Sequence, residues 1–311
     1  ARQLLAQVGA RATDISSSLG VQRWSVPDGE ELALVAQLSA LSDIAYAEPN
    51  YRLRAHLVPD DPYYTSQWAH PRIGSHNAWN LTTGDSAVVV AVIDTGVDLE
   101  NPELQGRLTA PKSYVTGAPT ADDDQGHGTH VAGIIAAAGN NQQGVAGMAW
   151  EVQIMPIKVL DDTGWGDSSD VAQGIVYAVN NGADIINVSL GGPDSSMTLL
   201  NAVTYAADNG VLVVGSAGNC GDGNFQQNGC TAENQAVYPA AYDEQVFAVA
   251  ATNSGDTVAS FSNRGDYVDI AAPGVYILST YIGGSGYAYA NGTSQAAPFV
   301  SGLAALLLSV R

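Results

Sequence analysis

From residue 62 onward the chain alternates two textures. Short β-branched, apolar runs (87–93, 152–159, 185–189, 211–215 and 246–250) are separated by Ala- and Gly-rich stretches with helical spacing (127–138, 167–180 and 198–209). Strands that are apolar along nearly their whole length must be covered on both faces, and the helices between them supply the cover. The expectation is an α/β fold, a doubly wound, mostly parallel sheet with helices on both faces. At 311 residues the chain can bury roughly three quarters of its unfolded surface, enough for such a core. Its 34 glycines suit close helix–strand packing and tight turns.

Residues 1–57 read differently. Residues 1–8 look like the end of a helix, and 21–27 alternate like a strand. Asp28 with Glu31 three places on is a helix-start signal ahead of Leu32, Val35, Leu38 and Leu41. Residues 43–51 then return to strand. This predicts a small α+β module, joined through the polar Val58-Pro59-Asp60-Asp61-Pro62 to a second domain over 58–311.

Charge narrows the partners. Acidic residues outnumber basic ones 31 to 11, the formal net charge is -20, and the only lysines are Lys112 and Lys158. No Lys/Arg cluster can follow a phosphate backbone or an anionic lipid surface, so neither nucleic acid nor a membrane is an expected partner. No apolar run approaches the roughly 18 residues of a membrane span. The acidity reads as a solvated surface or as cation binding. A monomer is expected. Cys220 and Cys230 stand in a Gly/Asn-rich stretch and read as a small-loop disulfide, worth roughly 2–3 kcal/mol, or as two free thiols. A bridge would place the protein outside the reducing cytosol. The chain opens at Ala1 without Met or an apolar signal core, as after loss of a leader or in a fragment.

Functional groups of parallel α/β sheets gather beyond the carboxyl ends of the strands. Asp94 lies there, in Ile93-Asp94-Thr95-Gly96; alone it would be a solvated carboxylate or a helix cap. His127, in Gly126-His127-Gly128-Thr129-His130, opens a small-residue helix. A His–His pair at this spacing could suggest a metal, but zinc would want further His or Cys ligands. Ser294, in Gly292-Thr293-Ser294-Gln295-Ala296-Ala297-Pro298, stands just before an apolar helix over 296–310. Pro298 is expected in that helix's first turn, where its missing N–H costs nothing. A serine there is commonly a cap. It also suits a nucleophile, since free N–H groups and the helix dipole can stabilise an oxyanion beside it.

The ordered set Asp94-Thr95-Gly96, Gly126-His127-Gly128-Thr129-His130, Ser189-Leu190-Gly191-Gly192, Ala217-Gly218-Asn219 and Gly292-Thr293-Ser294 resembles the subtilisin-like serine proteases (subtilases). The likeness covers about residues 62–311 and is closest to the thermitase-like branch. It implies a secreted serine endopeptidase that works on protein and peptide substrates through an acyl-enzyme. Ser294 would be the nucleophile and His127 its base, then acid to the leaving amine; Asp94 would hold the imidazole tautomer. The Asn219 amide and the Ser294 N–H would form the oxyanion hole. An extended peptide would bind as an added strand between Ser189-Leu190-Gly191 and Gly164-Trp165-Gly166, the glycines letting another backbone approach. Ala217 and Gly218 would line a primary pocket for apolar or aromatic side chains, and Trp165 would extend a subsite or pack locally.

The same resemblance makes residues 1–57 part of a ferredoxin-like propeptide, on Ala47-Glu48-Pro49-Asn50-Tyr51. It would act as folding chaperone and intramolecular inhibitor, in a zymogen that cleaves itself between Arg54 and Asp61. The family's first propeptide strand is missing and the chain stops soon after the nucleophile's helix, so it reads as clipped at both ends. Calcium is the implied ion, with side-chain oxygens from Asp61, Glu103 and Asn141 and carbonyls from Ala138, Gln143 and Val145. Glu103 stands where relatives carry Asp. Asp122-Asp123-Asp124 reads as a solvated acidic loop or as a second ion site. Gln295 replaces the family's usual methionine, and the segment from Cys220 to Cys230 reads as an insertion beside the pocket. Two other readings compete: a non-catalytic protein that keeps the peptide groove, and a serine esterase.

Overall fold

The computed structural model describes residues 1–16, 18–51, 57–222, 230–283 and 286–311. It divides into two compact units, residues 1–55 and 56–311. In the first, helix α1 (Arg2–Gln7) leads into an antiparallel hairpin of β1 (Arg11–Ser16) and β2 (Val21–Ser25), followed by α2 (Glu31–Ser39). The unit is α+β, but its second strand is not the expected one. The polar sequence 11–16 supplies it, whereas 43–51 joins no ladder. Pro49 offers no ladder donor, and Tyr46 and Tyr51 stay exposed, so no packed face holds that segment extended. Nor does Asp28 cap α2: the Glu31 carboxylate accepts from the Gly29 N–H at 2.9 Å, and the helix begins at Glu31. The expected self-cleavage stretch, Arg54 to Asp61, falls partly outside the described residues.

The second unit opens with two short helices, α3 (Ala69–Ile73) and α4 (Ser75–Trp79). Its sheet comprises β3 (Val89–Asp94), β4 (Lys112–Ser113), β5 (Gln153–Lys158), β6 (Ile185–Val188), β7 (Leu212–Ser216), β8 (Val246–Thr252) and β9 (Ile270–Pro273). These run parallel in the order β4-β5-β3-β6-β7-β8-β9. Helices α5 (His127–Ala136), α6 (Ser168–Asn180), α7 (Met197–Asp208) and α8 (Thr293–Leu308) cover it, and β10 (Ile277–Thr280) pairs with β11 (Tyr287–Ala290) as a separate hairpin.

Alternation along β3 divides the core. Val90 and Val92 enter one layer with Val131 and Ile135 of α5 and Phe299 and Leu306 of α8. Ala91 and Ile93 enter the other with Ile175 of α6 and Val203 of α7. Each fully buried Val or Ile contributes about 1.5–3 kcal/mol, which is why these strands read as continuous apolar runs. Connections leave β3 toward β5 and β4 on one side and toward β6 to β9 on the other, and ligand crevices open at such a reversal. Register sets Asp94 opposite Lys158 and Ile93 opposite Val188. The ends of β5, β3 and β6 therefore bring Lys158, Asp94 and Ser189 side by side along one rim, with neighbouring strands about 4.8 Å apart.

Helix α8 begins three residues earlier than its apolar run suggested, so Pro298 lies in the second turn instead of the first. Its ring removes the N–H that would bond the Ser294 carbonyl. The Ser189 hydroxyl donates to that carbonyl at 2.9 Å, which turns a helix defect into a tie between α8 and the end of β6.

Tight packing of α8 is testable. A Cβ on Gly302 would lie 2.5 Å from the Met148 Cβ. Gly302→Ala is expected to lower stability by about 1–3 kcal/mol, read as a lower Tm in a thermal melt. An unchanged midpoint would show that this contact opens at no cost.

Candidate active site

Asp94, the last residue of β3, is fully buried. Its Oδ1 accepts from the Thr95 N–H and from His127 Nδ1, both at 2.7 Å, while Oδ2 has no hydrogen-bond partner among the described residues. A buried carboxylate is costly without compensation, so the His127 proton is its principal counterweight. His127 opens α5 behind Gly126, whose φ of +107° and closeness to the Tyr281 ring exclude a side chain. Gly128 sits against the strand end: a Cβ there would lie 2.0 Å from the Gly96 carbonyl oxygen and 3.0 Å from the Asp94 Cβ.

A polar knot fastens that strand end to that helix start. Thr95 Oγ1 accepts from the Gly128 N–H at 2.9 Å and donates to Asp123 Oδ1 at 2.8 Å. Asp123 also accepts from the N–H groups of Gln125, Gly126 and Thr129 and from the Thr129 hydroxyl, at 2.6–3.0 Å. It caps α5 and puts a negative charge beside the positive end of that helix. Asp124 pairs at 2.6 Å with the buried Lys158 Nζ, which also donates to the Thr95 carbonyl at 2.6 Å. The acidic run is thus neither a plain solvated loop nor, with Asp123 fully engaged by donors, an ion site. His130 makes no pair with His127. It donates from Nε2 to the Ile277 and Ala288 carbonyls, and burial holds its pKa near 4, so it stays neutral.

Ser294 lies in the first turn of α8, with its Oγ donating to the Ser189 carbonyl at 2.9 Å. The two serines thus clasp each other through hydroxyl and carbonyl in both directions. Among the described residues no hydrogen bond joins Ser294 to His127. Asn219 follows β7; its Oδ1 accepts from the Thr293 N–H at 2.9 Å and the Thr293 hydroxyl at 3.0 Å. Its Nδ2 lies on the side of Gly292, where a Cβ would be 3.6 Å from it, next to the turn that carries Ser294.

The segments expected to bind peptide follow β6 and β7 and form the loop 164–166. Ser189, Leu190 and Gly191 extend from β6, and Gly191 packs so closely on Val237 and Tyr238 that a Cβ would lie 2.5 Å from the Val237 side chain. Ala217 and Gly218 extend from β7, Gly218 at φ +105° against Val237. In Gly164-Trp165-Gly166 the Trp165 ring is 74% exposed, but its backbone N–H and carbonyl are spent inside the loop on Asp161. The disulfide forms, with the Cα atoms of Cys220 and Cys230 5.9 Å apart, so the free-thiol alternative falls.

Asp61, Glu103 and Asn141 come together in a cluster of their own. Asn141 donates from its backbone to Asp61 Oδ1 at 3.3 Å and from Nδ2 to Glu103 Oε2 at 3.0 Å. Glu103 Oε1 accepts from the Val145 N–H and the Tyr287 hydroxyl. Ala138 donates to the Glu103 carbonyl, and Gln143 donates to Asn141 Oδ1 at 2.8 Å. Burial pushes both carboxyl groups up from their ordinary values, against the hydrogen bonds they accept; the Asp60 charge adds to the rise at Asp61, and the Asp61 charge to that at Glu103. Among the described residues no cluster of three or more His, Cys, Asp or Glu side chains is arranged to hold a metal.

The Subtilase family profile matches residues 85–311, and the Fervidolysin N-terminal prodomain profile matches residues 1–50. The chain is a subtilase. It is a serine endopeptidase that carries its prodomain, made as a zymogen. It is 43% identical over 306 residues to a thermophilic serine proteinase of Bacillus sp. (strain AK1), covering 98% of this chain and 73% of that protein. It is 43% identical over 253 residues to thermitase of Thermoactinomyces vulgaris, covering 81% and 86%. A crystal structure of a cold adapted subtilisin-like serine proteinase superposes with a TM-score of 0.63 at 34% identity, covering 73% of this chain and 78% of that one. Within this subtilase, the sequence suggested no role for Thr95, Lys158 or Asn263. Each is a common polar residue whose partners are distant in the chain; only a lysine inside an apolar strand run offered a signal.

The Asp94–His127 pair sets a pH dependence. Burial alone would lower the His127 pKa, but the Asp94 charge and hydrogen bond, with Asp123 behind them, outweigh it and raise the value above 6.5. By linkage the imidazolium adds stability that is complete below 6.5 and fades as pH rises through the elevated pKa. A base must be neutral, so the acid limb of kcat/KM is expected to have its midpoint above 6.5. Asp94→Asn should move that midpoint down and cut kcat by about 10⁴-fold. A pH profile of both proteins checks this, and an unmoved midpoint would detach Asp94 from the base.

Proposed function

We propose that this subtilase hydrolyses peptide bonds through Ser294, His127 and Asp94, with Asn219 as oxyanion donor. The observation that carries this is the 2.7 Å bond from His127 Nδ1 to a fully buried Asp94, beside a strand β6 that leads directly into Ser189, whose carbonyl holds the Ser294 hydroxyl. The bond leaves Nε2 as the proton acceptor. Rotation of the Ser294 side chain about χ1 releases Ser189 and offers the hydroxyl proton to Nε2 as Oγ attacks the scissile carbonyl. The resulting oxyanion is met by the Asn219 amide and the Ser294 N–H at the start of α8. His127 returns the proton to the leaving amine, then activates the water that hydrolyses the acyl-enzyme. Substrate backbone pairs along Ser189-Leu190-Gly191 on one side. Opposite, with Trp165's own groups and the Gly164 N–H spent inside the loop, it pairs with the Gly164 carbonyl and with Gly166, while the exposed Trp165 side chain adds an apolar subsite. Ala217 and Gly218 wall the pocket for an apolar or aromatic side chain.

The disulfide supports an extracellular setting, and no helix of the described residues is long and apolar enough to cross a membrane. In this reading residues 1–57 inhibit the enzyme until it cleaves itself. Ser294→Ala decides the point: wild type is expected to lose its N-terminal module on incubation and to bind a fluorophosphonate stoichiometrically, and the variant to do neither. Equal processing of both, read by N-terminal sequencing, would end the self-cleavage proposal. Folded wild-type protein that takes no label would favour the non-catalytic reading.

Calcium fits the second cluster. Asp61 and Glu103 are 4% and 1% exposed and make no ion pair among the described residues, an arrangement a hard cation would relieve. Their carboxylates and the Asn141 amide, with carbonyls of Ala138, Gln143 and Val145, would hold it. When bound, the ion would neutralise the two buried charges and brace the loop 138–145. Chelation is expected to lower the wild-type Tm by several degrees and that of Asp61→Asn by less. Equal wild-type melts with and without chelator would reject the site.

A further inference from the structure

Asn263 is fully buried in the connection between β8 and β9, and its polar groups converge on the segment that carries Asn219. Its Oδ1 accepts from the Cys220 N–H at 2.6 Å. Its own N–H donates to the Gly218 carbonyl at 2.9 Å, and its Nδ2 donates to the Ala217 carbonyl at 3.0 Å. The residues on both sides of Asn219 are therefore fastened to one side chain. Nδ2 also donates to the Gln235 carbonyl at 2.7 Å and meets the Tyr267 hydroxyl at 3.0 Å, which in turn donates to the Ala217 carbonyl at 2.7 Å. The grip is close: a Cβ on Gly218 would lie 2.7 Å from Asn263 Nδ2.

We propose that Asn263 is a positioning residue for the oxyanion hole, gripping the backbone before and after Asn219 so that the amide keeps its direction toward the reacting carbonyl. The proposal rests on the reading of Asn219 as oxyanion donor. Thr293 holds the far end of that amide by its oxygen, and Asn263 holds the near end by its backbone. Such a donor works only within a few tenths of an ångström of where the oxyanion forms, so loosening the backbone weakens the transition state. Substrate pairing along Ser189-Leu190-Gly191 does not run through Asn263, and without its side chain the Gly218 carbonyl keeps the residue 263 N–H and the Ala217 carbonyl keeps the Tyr267 hydroxyl, so the pocket walls stay held and the loss falls mainly on kcat.

A double-mutant cycle on one peptide anilide tests this, with folded enzyme quantified by circular dichroism. Asn219→Ala is expected to lower kcat about 10²–10³-fold, the magnitude known for this donor in a subtilisin. Asn263→Ala is expected to lower kcat about tenfold with KM within about twofold, and to cost less than about twofold more on top of Asn219→Ala, because groups acting through one another are not additive. Wild-type kcat in Asn263→Ala, or a loss repeated in full in the Asn219→Ala background, overturns the proposal. Unchanged kcat in Asn219→Ala overturns instead the oxyanion reading. If Asn263→Ala does not fold, Tyr267→Phe takes its place in the cycle, removing the hydroxyl that touches both Asn263 and Ala217. A loss of about threefold absorbed by Asn219→Ala supports the proposal, and an unchanged kcat overturns it.

Discussion

The hydrogen bond between Asp94 and His127 requires a strand end and a helix start to approach until their backbones touch, and much of the surrounding sequence serves that approach. Gly128 is small because the Gly96 carbonyl occupies the place of its side chain. Thr95 and Asp123 satisfy the N–H groups that the helix start would otherwise leave orphaned in a dry place. Lys158, delivered beside Asp94 by the register of β5, brings a cation into a corner that already holds several carboxylates. Remove the close approach and the buried carboxylate loses its counter-charge.

Ser294 is held by a different logic. Pro298 leaves the Ser294 carbonyl without its helical donor, and Ser189 takes up the vacancy while its own carbonyl receives the Ser294 hydroxyl. One exchange satisfies groups on α8 and at the end of β6 and fixes where the Ser294 hydroxyl points. Asn219 is oriented in the same spirit: its oxygen is occupied by Thr293, so its N–H groups face the other way. In each case a polar group is aimed by giving its opposite end a fixed partner, which leaves little reorganisation for the moment of reaction.

Much of this architecture could be read from the chain. Continuous apolar runs declared five of the seven parallel strands, and the small-residue stretches declared α5, α6 and α7 within one or two residues. Lys112–Ser113 and Ile270–Pro273 escaped notice because two residues, or a half-exposed Ala/Pro run, carry no periodicity. Residues 43–51 alternated convincingly yet form no strand, for alternation favours a ladder only where a partner edge is available. The start of α8 was misplaced because its first turn is polar, so hydrophobic spacing begins late there.

What the chain determined alone was local and chemical: which stretches would be strands or helices, and that a carboxylate, an imidazole and a hydroxyl would stand at their ends. Periodicity and residue type suffice for that, since burial acts on each element's own side chains. Tertiary structure decided which atom each polar group would meet: Asp124 with Lys158, Asn263 with the flanks of Asn219, Ser294 with Ser189 in place of His127. Hydrogen bonds are short-ranged and directional, so partners dozens of residues apart are chosen by strand order and register, quantities no local stretch of sequence contains.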